Sequence, residues 1–324
     1  MTFDGLIAQF NLVPDARTLS LVGVVIAVLG AATGVGRMLA RQTDSSLNPD
    51  AVRLFQSRLR TWWLMCSILA ASFMIGQVAT VILFGLISFW ALREFVTLTP
   101  TRPGDHRTLF WVFFIFTPIQ FLLVGMEEYE LYSVAIPVYA FLFIPARAAF
   151  AGDYKRFLER AAKIQSGLMI CVYCLSFAPA LLELKIPDFE GNARLLFFFV
   201  LVVQMGDVLQ YVWHKLLGKH VIAPAISPSR TWEGFLGGVG SATLLGAMLY
   251  WATPFTPWEA AGMSLLITVA GFAGGLTMSA IKRDRGVKDY GTLVEGHGGV
   301  LDRIDSICFA APIFYHATRG FFTV

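Results

Sequence analysis

Long unbroken apolar runs alternate along the chain with short polar stretches, and the runs lack the two-residue rhythm of a strand with one wet face. A helix needs about 20 apolar residues to cross a bilayer, and inside lipid the backbone tolerates only helices or closed barrels. Continuous rather than alternating hydrophobicity predicts helices. Candidate spans fall at 19–40, 109–125, 131–148, 166–184, 195–213, 235–251, 260–281 and 307–322. The run 61–98 is about twice one crossing. It carries Gly76 and Gln77 near its middle, so it is expected to form two helices joined by a tight turn. The pattern predicts an all-α, polytopic membrane protein of about ten helices. No long-period repeat or linker interrupts it, so residues 1–324 read as one transmembrane domain, with N-terminal helices over 18–185 and a more polar C-terminal region over 195–324.

Composition agrees: 56% of residues are hydrophobic and 15% charged, against about 25% charged in soluble domains. Mean hydropathy is +0.65. The net charge of +3 is slight, and no nucleic-acid partner is expected. Where the charges lie matters more. Arg41 to Arg60, Arg102 with Arg107, Lys155 to Lys163, Lys215 to Arg230 and Lys282 to Arg303 all fall on one side once 61–98 is split. Glu127, Glu128 and Glu130 fall on the other. The excess of Lys and Arg in short loops marks the cytoplasmic side of a cell (inner) membrane and puts both termini outside. Asp4 and the lack of a basic n-region predict no cleaved signal peptide.

The four cysteines, Cys66, Cys171, Cys174 and Cys308, lie in apolar runs. The CxxC of Cys171 and Cys174 has no second pair, so it reads as buried small residues rather than a metal or redox site. Gly30 with Gly34, Gly234 with Gly238 and Gly271 with Gly275 have the spacing of close helix packing, without chemistry.

Two polar stretches stand apart: GDVLQYVWHKLLGKHVIAPAISPSRTWEGFLGG at 206–238 and SAIKRDRGVKDYGTLVEGHGGVLDRIDS at 279–306. Asp207 sits near the end of an apolar helix, where a carboxylate is costly unless it is paired or holds a cation; it either serves function or pairs with Lys215 or Lys219. His214 reads as an interfacial side chain. Asp302 and Asp305, three apart, share one helix face and suit a divalent cation, although pairing with Arg303 would also satisfy them. Beside them stand Asp289, Lys282, Arg283, Lys288 and a GHGG whose glycines let backbone amides approach an anion. In SPSRTWEG, hydroxyls and Arg230 precede a helix, a place that favours negative charge; an ordinary N-cap after a Pro turn is the plainer alternative. Together these residues suit a phosphate-rich substrate held with a metal at the membrane face, with polar cytoplasmic loops forming the active site. Phosphoryl-type transfer needs positioning and charge neutralisation more than a protein nucleophile. The motifs of lipases and zinc proteases are missing.

Ser279-Ala280-Ile281-Lys282-Arg283, then Lys288-Asp289, His297-Gly298-Gly299 and Leu301-Asp302-Arg303-Ile304-Asp305, resembles the signature of phosphatidate cytidylyltransferases, also called CDP-diacylglycerol synthases. SPSRTWEG resembles that family's Ser-Pro-Lys-Lys-Thr-Trp-Glu-Gly, and Asp207 with Tyr211 its Asp-x-x-Ala-Tyr. Motif detail covers the C-terminal part of the chain. The resemblance implies transfer of CMP from CTP to phosphatidate, with release of pyrophosphate, in phospholipid biosynthesis. It implies magnesium, often with potassium as a second cation, and CTP, phosphatidate and membrane lipid as partners; a homodimer is compatible with it.

Carried over, Asp207, Asp289, Asp302 and Asp305 would hold metal. Asp289, Asp302, Lys288, Arg303 and His297 would be catalytic. Ser227, Arg230, Thr231, Glu233, Lys282, Arg283, Gly298 and Gly299 would bind substrate. Ser229-Arg230 replaces Lys-Lys, Gln210 replaces Ala, His214-Lys215 replaces Gly-Arg, and Glu295 stands where Pro is usual. These departures leave open another lipid-phosphate or polyprenyl acceptor, or a non-catalytic protein that binds or transports lipid phosphates.

Overall fold

The computed structural model describes residues 75–99, 101–291 and 298–323, with scattered positions between 20 and 72. Along the continuous part, α1 is Gln77–Leu98, α2 Pro103–Gly125, α3 Tyr129–Ala149, α4 Phe157–Glu183 and α5 Asn192–Leu217. A hairpin follows, β1 (Val221–Ala223) antiparallel to β2 (Ser227–Thr231), with Val221 opposite Thr231 and Ala223 opposite Ser227. Then come α6 (Trp232–Met248), α7 (Pro257–Asp284) and α8 (Leu301–Phe322).

Among the described residues, α1 to α5 and α7 are the six helices long and apolar enough to cross a membrane. α6 has 17 residues, and α8 opens on charged side chains. Of the remaining expected spans, 19–40 lies largely outside the described residues, whereas most of the first half of 61–98 is described. The positions described there, from Ser20 to Arg37 and from Trp63 to Ile75, are helical, and Trp63 Nε1 donates to Thr33 Oγ1 at 3.0 Å. Gly76, at φ 125°, is the break in the long run, with helix on both sides of it. Its backbone lies where a side chain is strained, which is why the helix gives way there.

Leu86, Leu122, Phe141, Leu142, Leu236 and Leu244 are all exposed. So many large apolar side chains facing outward need lipid against them. The centre is aromatic: Tyr132, Phe177, Phe198, Phe199, Phe314 and Tyr315 are fully buried, and Phe199 stacks on Phe314 with centroids 5.2 Å apart. α4 is 67% buried over its most apolar stretch and α3 only 28%, so α4 lies inside the bundle and α3 on its rim.

Three helices contain π-helical turns, at Val112–Phe116, Ala135–Ala140 and Met169–Cys174. A widened turn disturbs the regular hydrogen-bond ladder. At two of them a hydroxyl supplies a bond: Thr117 Oγ1 donates to the Val112 carbonyl at 2.8 Å, and Ser88 Oγ to that of Cys171 at 2.6 Å. Cys171 and Cys174 are free thiols in the third turn, Cys171 buried in the apolar core and Cys174 half-buried.

The polar end of the bundle is pinned by a buried cation. Arg160 Nε lies 3.0 Å from Asp105 Oδ1 and Arg160 Nη1 lies 3.1 Å from Asp153 Oδ2, which also takes Arg102 Nε at 2.7 Å. Part of the positive charge in the short loops therefore has a structural task. Removing one partner of a buried pair leaves the other uncompensated, at about 3–5 kcal/mol. Arg160→Ala is accordingly expected to lower the melting temperature of the detergent-purified protein sharply, while Arg156→Ala, an exposed neighbour, should leave it almost unchanged.

Candidate active site

Five polar elements meet at one end of the helices: the last turns of α5, the hairpin, the C-terminus of α7, the loop after it and the N-terminus of α8. The sequence explains most of the local framework. Thr231 ends β2 in an extended conformation and caps α6, its Oγ1 accepting from Gly234 N at 3.2 Å, with His214 Nδ1 at 3.3 Å. Glu233, ahead of the apolar run of α6, accepts from the amides of Lys219 and His220 and pairs with the His220 ring. The His220 ring and these amides hold its carboxyl down to about 2. Thr231 and Glu233, expected to touch substrate, thus also hold the hairpin to α6. The alternative reading of SPSRTWEG as an N-cap is realised at Thr231, on a strand rather than in a free turn.

Asp207 does not pair with Lys215, whose ammonium lies 5.6 Å over the Tyr211 ring. The Ser306 hydroxyl and the Arg230 guanidinium both lie near its carboxyl. Ser306 also meets the next carboxylate, donating from its amide to Asp305 Oδ1 at 2.7 Å with its hydroxyl 3.4 Å from the same oxygen. One serine therefore holds Asp305 of α8 and stands near Asp207 of α5. Arg230 and Lys282 both act on Asp305. Gln204, one turn before Asp207, donates to the Arg303 carbonyl at 3.0 Å and fixes α5 against the start of α8.

Arg230 reaches this cluster because α7 leaves room. Its guanidinium lies 5.0 Å over Phe272 and donates to the Phe272 carbonyl at 3.4 Å. A β-carbon at Gly275 would collide with its Nη2. The Gly271 and Gly275 pair, expected to serve packing alone, does pack α7 on α8 near Ser306, but Gly275 also makes room for a site cation.

Asp302 does different work from Asp305. Its Oδ1 accepts from Lys282 Nζ at 2.8 Å; its Oδ2 accepts from the amides of Tyr290 and Gly299 at 2.8 and 2.9 Å. It is a knot tying the loop to α7, and its pairing partner is Lys282. Gly298, at φ 80°, is part of that knot, since a β-carbon there would stand 2.7 Å from Asp302 Oδ2. Tyr290 is anchored in turn by its hydroxyl, which donates to the Met278 carbonyl at 3.0 Å.

Sequence reasoning passed over the residue that holds the other side of this loop. α8 begins without a capping side chain of its own, and the first amides of a helix need partners from somewhere. Glu94, 6% exposed on α1, supplies them: Oε1 accepts from Val300 N at 3.0 Å and Oε2 from Leu301 N at 2.9 Å. The signal was available, because Glu94 is a carboxylate inside an apolar run, as Asp207 is.

Arg283 joins the hairpin turn to the loop, donating to the carbonyls of Ile226 at 3.1 Å and Val287 at 3.2 Å. Ser227 is buried in β2, its hydroxyl 3.4 Å from that of Ser229. Lys288 and Asp289 are exposed beyond α7. His297 and Glu295 lie outside the described residues. The structure thus brings together Asp207, Asp305, Arg230, Lys282 and Asp302. Among the described residues no three acidic, histidine or cysteine side chains gather as a metal cage; the expected four-carboxylate set is represented by Asp207 and Asp305 around Ser306.

Residues 56–321 match the cytidylyltransferase family. An uncharacterized protein of Escherichia coli strain K12, YnbB, is 38% identical over 266 residues, 81% of this chain and 86% of that one. A phosphatidate cytidylyltransferase of Staphylococcus aureus strain COL is 40% identical over 126 residues, 38% of this chain and 48% of that enzyme. Another, from Synechocystis sp. PCC 6803, is 45% identical over 113 residues, 34% and 38% of the two chains. The matched stretch spans about half or less of those two enzymes.

Proposed function

The chain belongs to the cytidylyltransferase family, and on that premise we propose that it transfers CMP from CTP to phosphatidate, giving CDP-diacylglycerol and pyrophosphate at the cytoplasmic face of the cell membrane. The observation that carries this reading is the meeting of Asp207 and Asp305 around Ser306, with Arg230 and Lys282 beside them, at the end of an otherwise apolar bundle. Acyl tails can stay in lipid there while the head group meets a nucleotide arriving from water.

In the reaction an oxygen of the phosphatidate phosphate attacks the α-phosphorus of CTP in line. The bond to the oxygen bridging α- and β-phosphates breaks, and pyrophosphate leaves with its electron pair. Attacker and target carry like charge, which opposes approach by about 4 kcal/mol per unit pair at 4 Å and an effective dielectric of 20. Arg230 and Lys282 are placed to offset that repulsion.

Two carboxylates around one hydroxyl form a donor set of the size magnesium uses when substrate phosphates and water complete its shell. Asp207 and Asp305 would hold that ion, which supplies charge neutralisation on the phosphates. Asp302, with both oxygens engaged, would instead hold Lys282 and the glycine loop in place.

The reading is tested by incubating purified protein with radiolabelled CTP, magnesium and a panel of lipid phosphates. Label is expected in phosphatidate and lost on chelation; label in a polyprenyl phosphate alone would refute the acceptor, and label in no lipid would refute transfer. Gly275→Ala gives a finer check. The colliding atom is the far end of a flexible side chain, so stability should hardly change, but Arg230 must move away from the cluster. Turnover should fall roughly 10- to 100-fold, since misplacement by about 1 Å can cost that much.

A further inference from the structure

The opposite end of α8 borders a cavity that the proposed reaction does not use. Arg319 stands 14 residues beyond Asp305 on the same helix, about 21 Å away at 1.5 Å per residue. The cavity, of about 240 Å³, is lined by Glu127, Tyr132, Glu183, Lys185, Tyr315 and Arg319, with Tyr129 beside them.

Its walls are built and its charges are not paired across it. Arg319 lies 3.4 Å over the Tyr129 ring and donates to the Tyr315 hydroxyl at 3.3 Å; that hydroxyl meets the Tyr132 hydroxyl at 2.6 Å. The guanidinium is thus aimed by neutral tyrosines. Glu183 Oε1 is shut off from bulk water and has no hydrogen-bond partner. Neither Glu127 nor Glu183 forms an ion pair with Lys185 or Arg319. A polar atom buried without a partner is costly and calls for an explanation. Two carboxylates and two cations that face one cavity without neutralising each other are complementary to a ligand carrying both signs.

The volume equals that of about eight waters at ~30 Å³ each, room for a small head group. Guanidinium matches a phosphate oxyanion, while carboxylates and tyrosine faces match an ammonium. We propose that this cavity is a second binding site, for a zwitterion that joins a primary ammonium to a phosphate, the chemistry of phosphoethanolamine. Its position at a helix end puts it level with lipid head groups, so the ligand has two sources of one chemistry, a free solute or a phosphatidylethanolamine head group. The proposal does not depend on the transfer reaction.

Purified full-length protein would be titrated with phosphoethanolamine in detergent, and in nanodiscs of phosphatidylethanolamine or of phosphatidylglycerol, with binding followed by thermal shift and native mass spectrometry. Saturable binding of phosphoethanolamine is expected, with phosphate alone and ethanolamine alone at least tenfold weaker. Saturation by the free compound identifies the solute as the source; retention of phosphatidylethanolamine alone identifies the lipid. Glu183→Gln and Arg319→Gln should each weaken binding at least tenfold while keeping the wild-type melting temperature in the absence of ligand, which certifies the fold. If either fails to fold, the exposed Lys185→Gln should still weaken binding about threefold. No preference for the zwitterion over phosphatidylglycerol and over phosphate alone, or equal affinity in the folded variants, would overturn the assignment.

Discussion

Asp305→Asn should lower CTP-dependent transfer by roughly 10²–10³-fold, the scale of losing one preorganised electrostatic contact to a transition state, while the protein inserts and melts like the wild type. The substitution keeps the shape and keeps an oxygen to accept from the Ser306 amide, now at 2.7 Å. What it removes is the charge that Asp305 shares with Asp207 across Ser306. Asp302→Asn is the informative contrast. That carboxylate holds Lys282 and two loop amides, and a hydrogen bond to a charged group contributes about 1.5–3 kcal/mol. Activity and melting temperature should therefore fall together in Asp302→Asn, and activity alone in Asp305→Asn. Initial rates of lipid labelling and thermal melts on both variants decide the matter; an Asp305→Asn protein with wild-type rate would remove Asp305 from the site.

Glu94→Ala is expected to lower stability and transfer together. It strips the amides of Val300 and Leu301 of their acceptors in a place where water does not readily substitute. Two charge-assisted bonds are lost, so the cost should reach about 3 kcal/mol or more. Transfer should fall with it, because Gly291 and Gly299 pack directly on that carboxylate and the loop loses its floor. Glu94→Gln keeps one acceptor and should fall between. Hydrogen exchange at residues 300 and 301 gives a local readout: unchanged protection in Glu94→Ala would show that the carboxylate does not hold the helix start.

The apolar pattern made the bundle legible and misplaced its polar ends. α7 runs Pro257–Asp284 against an expected 260–281, close because Thr256, Pro257 and Glu259 form a capping box at the edge of the apolar run. α8 begins at Leu301 rather than 307, since its first turns carry Asp302 and Asp305 on a helix that hydropathy cannot see. α4 starts at Phe157, well before 166, for a similar reason: its opening turns mix Glu159, Arg160 and Lys163 with apolar residues. The hairpin escaped notice because pairing of Val221 with Thr231 is a contact between segments, and SPSRT does not read as a strand by itself.

At the site, Asp207, Arg230, Lys282, Asp302 and Asp305, drawn from two polar stretches far apart in sequence, lie near one another. Spacing could not divide labour between Asp302 and Asp305, which share a helix face but take different partners. Glycine spacing likewise predicts close approach without saying what comes close, and at Gly275 that is a guanidinium. Ser306 was hidden by being an ordinary hydroxyl in a stretch of more conspicuous charges.

Glu94 and its partners are 206 residues apart in sequence. At ~5–20 residues per second of synthesis, α1 enters the bilayer about 10–40 seconds before the amides it will cap have left the ribosome. Throughout that interval a carboxylate inside a nascent membrane bundle has to keep company with water, a proton or a helper protein. The order of translation, rather than any weakness of the finished fold, thus sets the period in which this chain is most open to quality-control proteolysis.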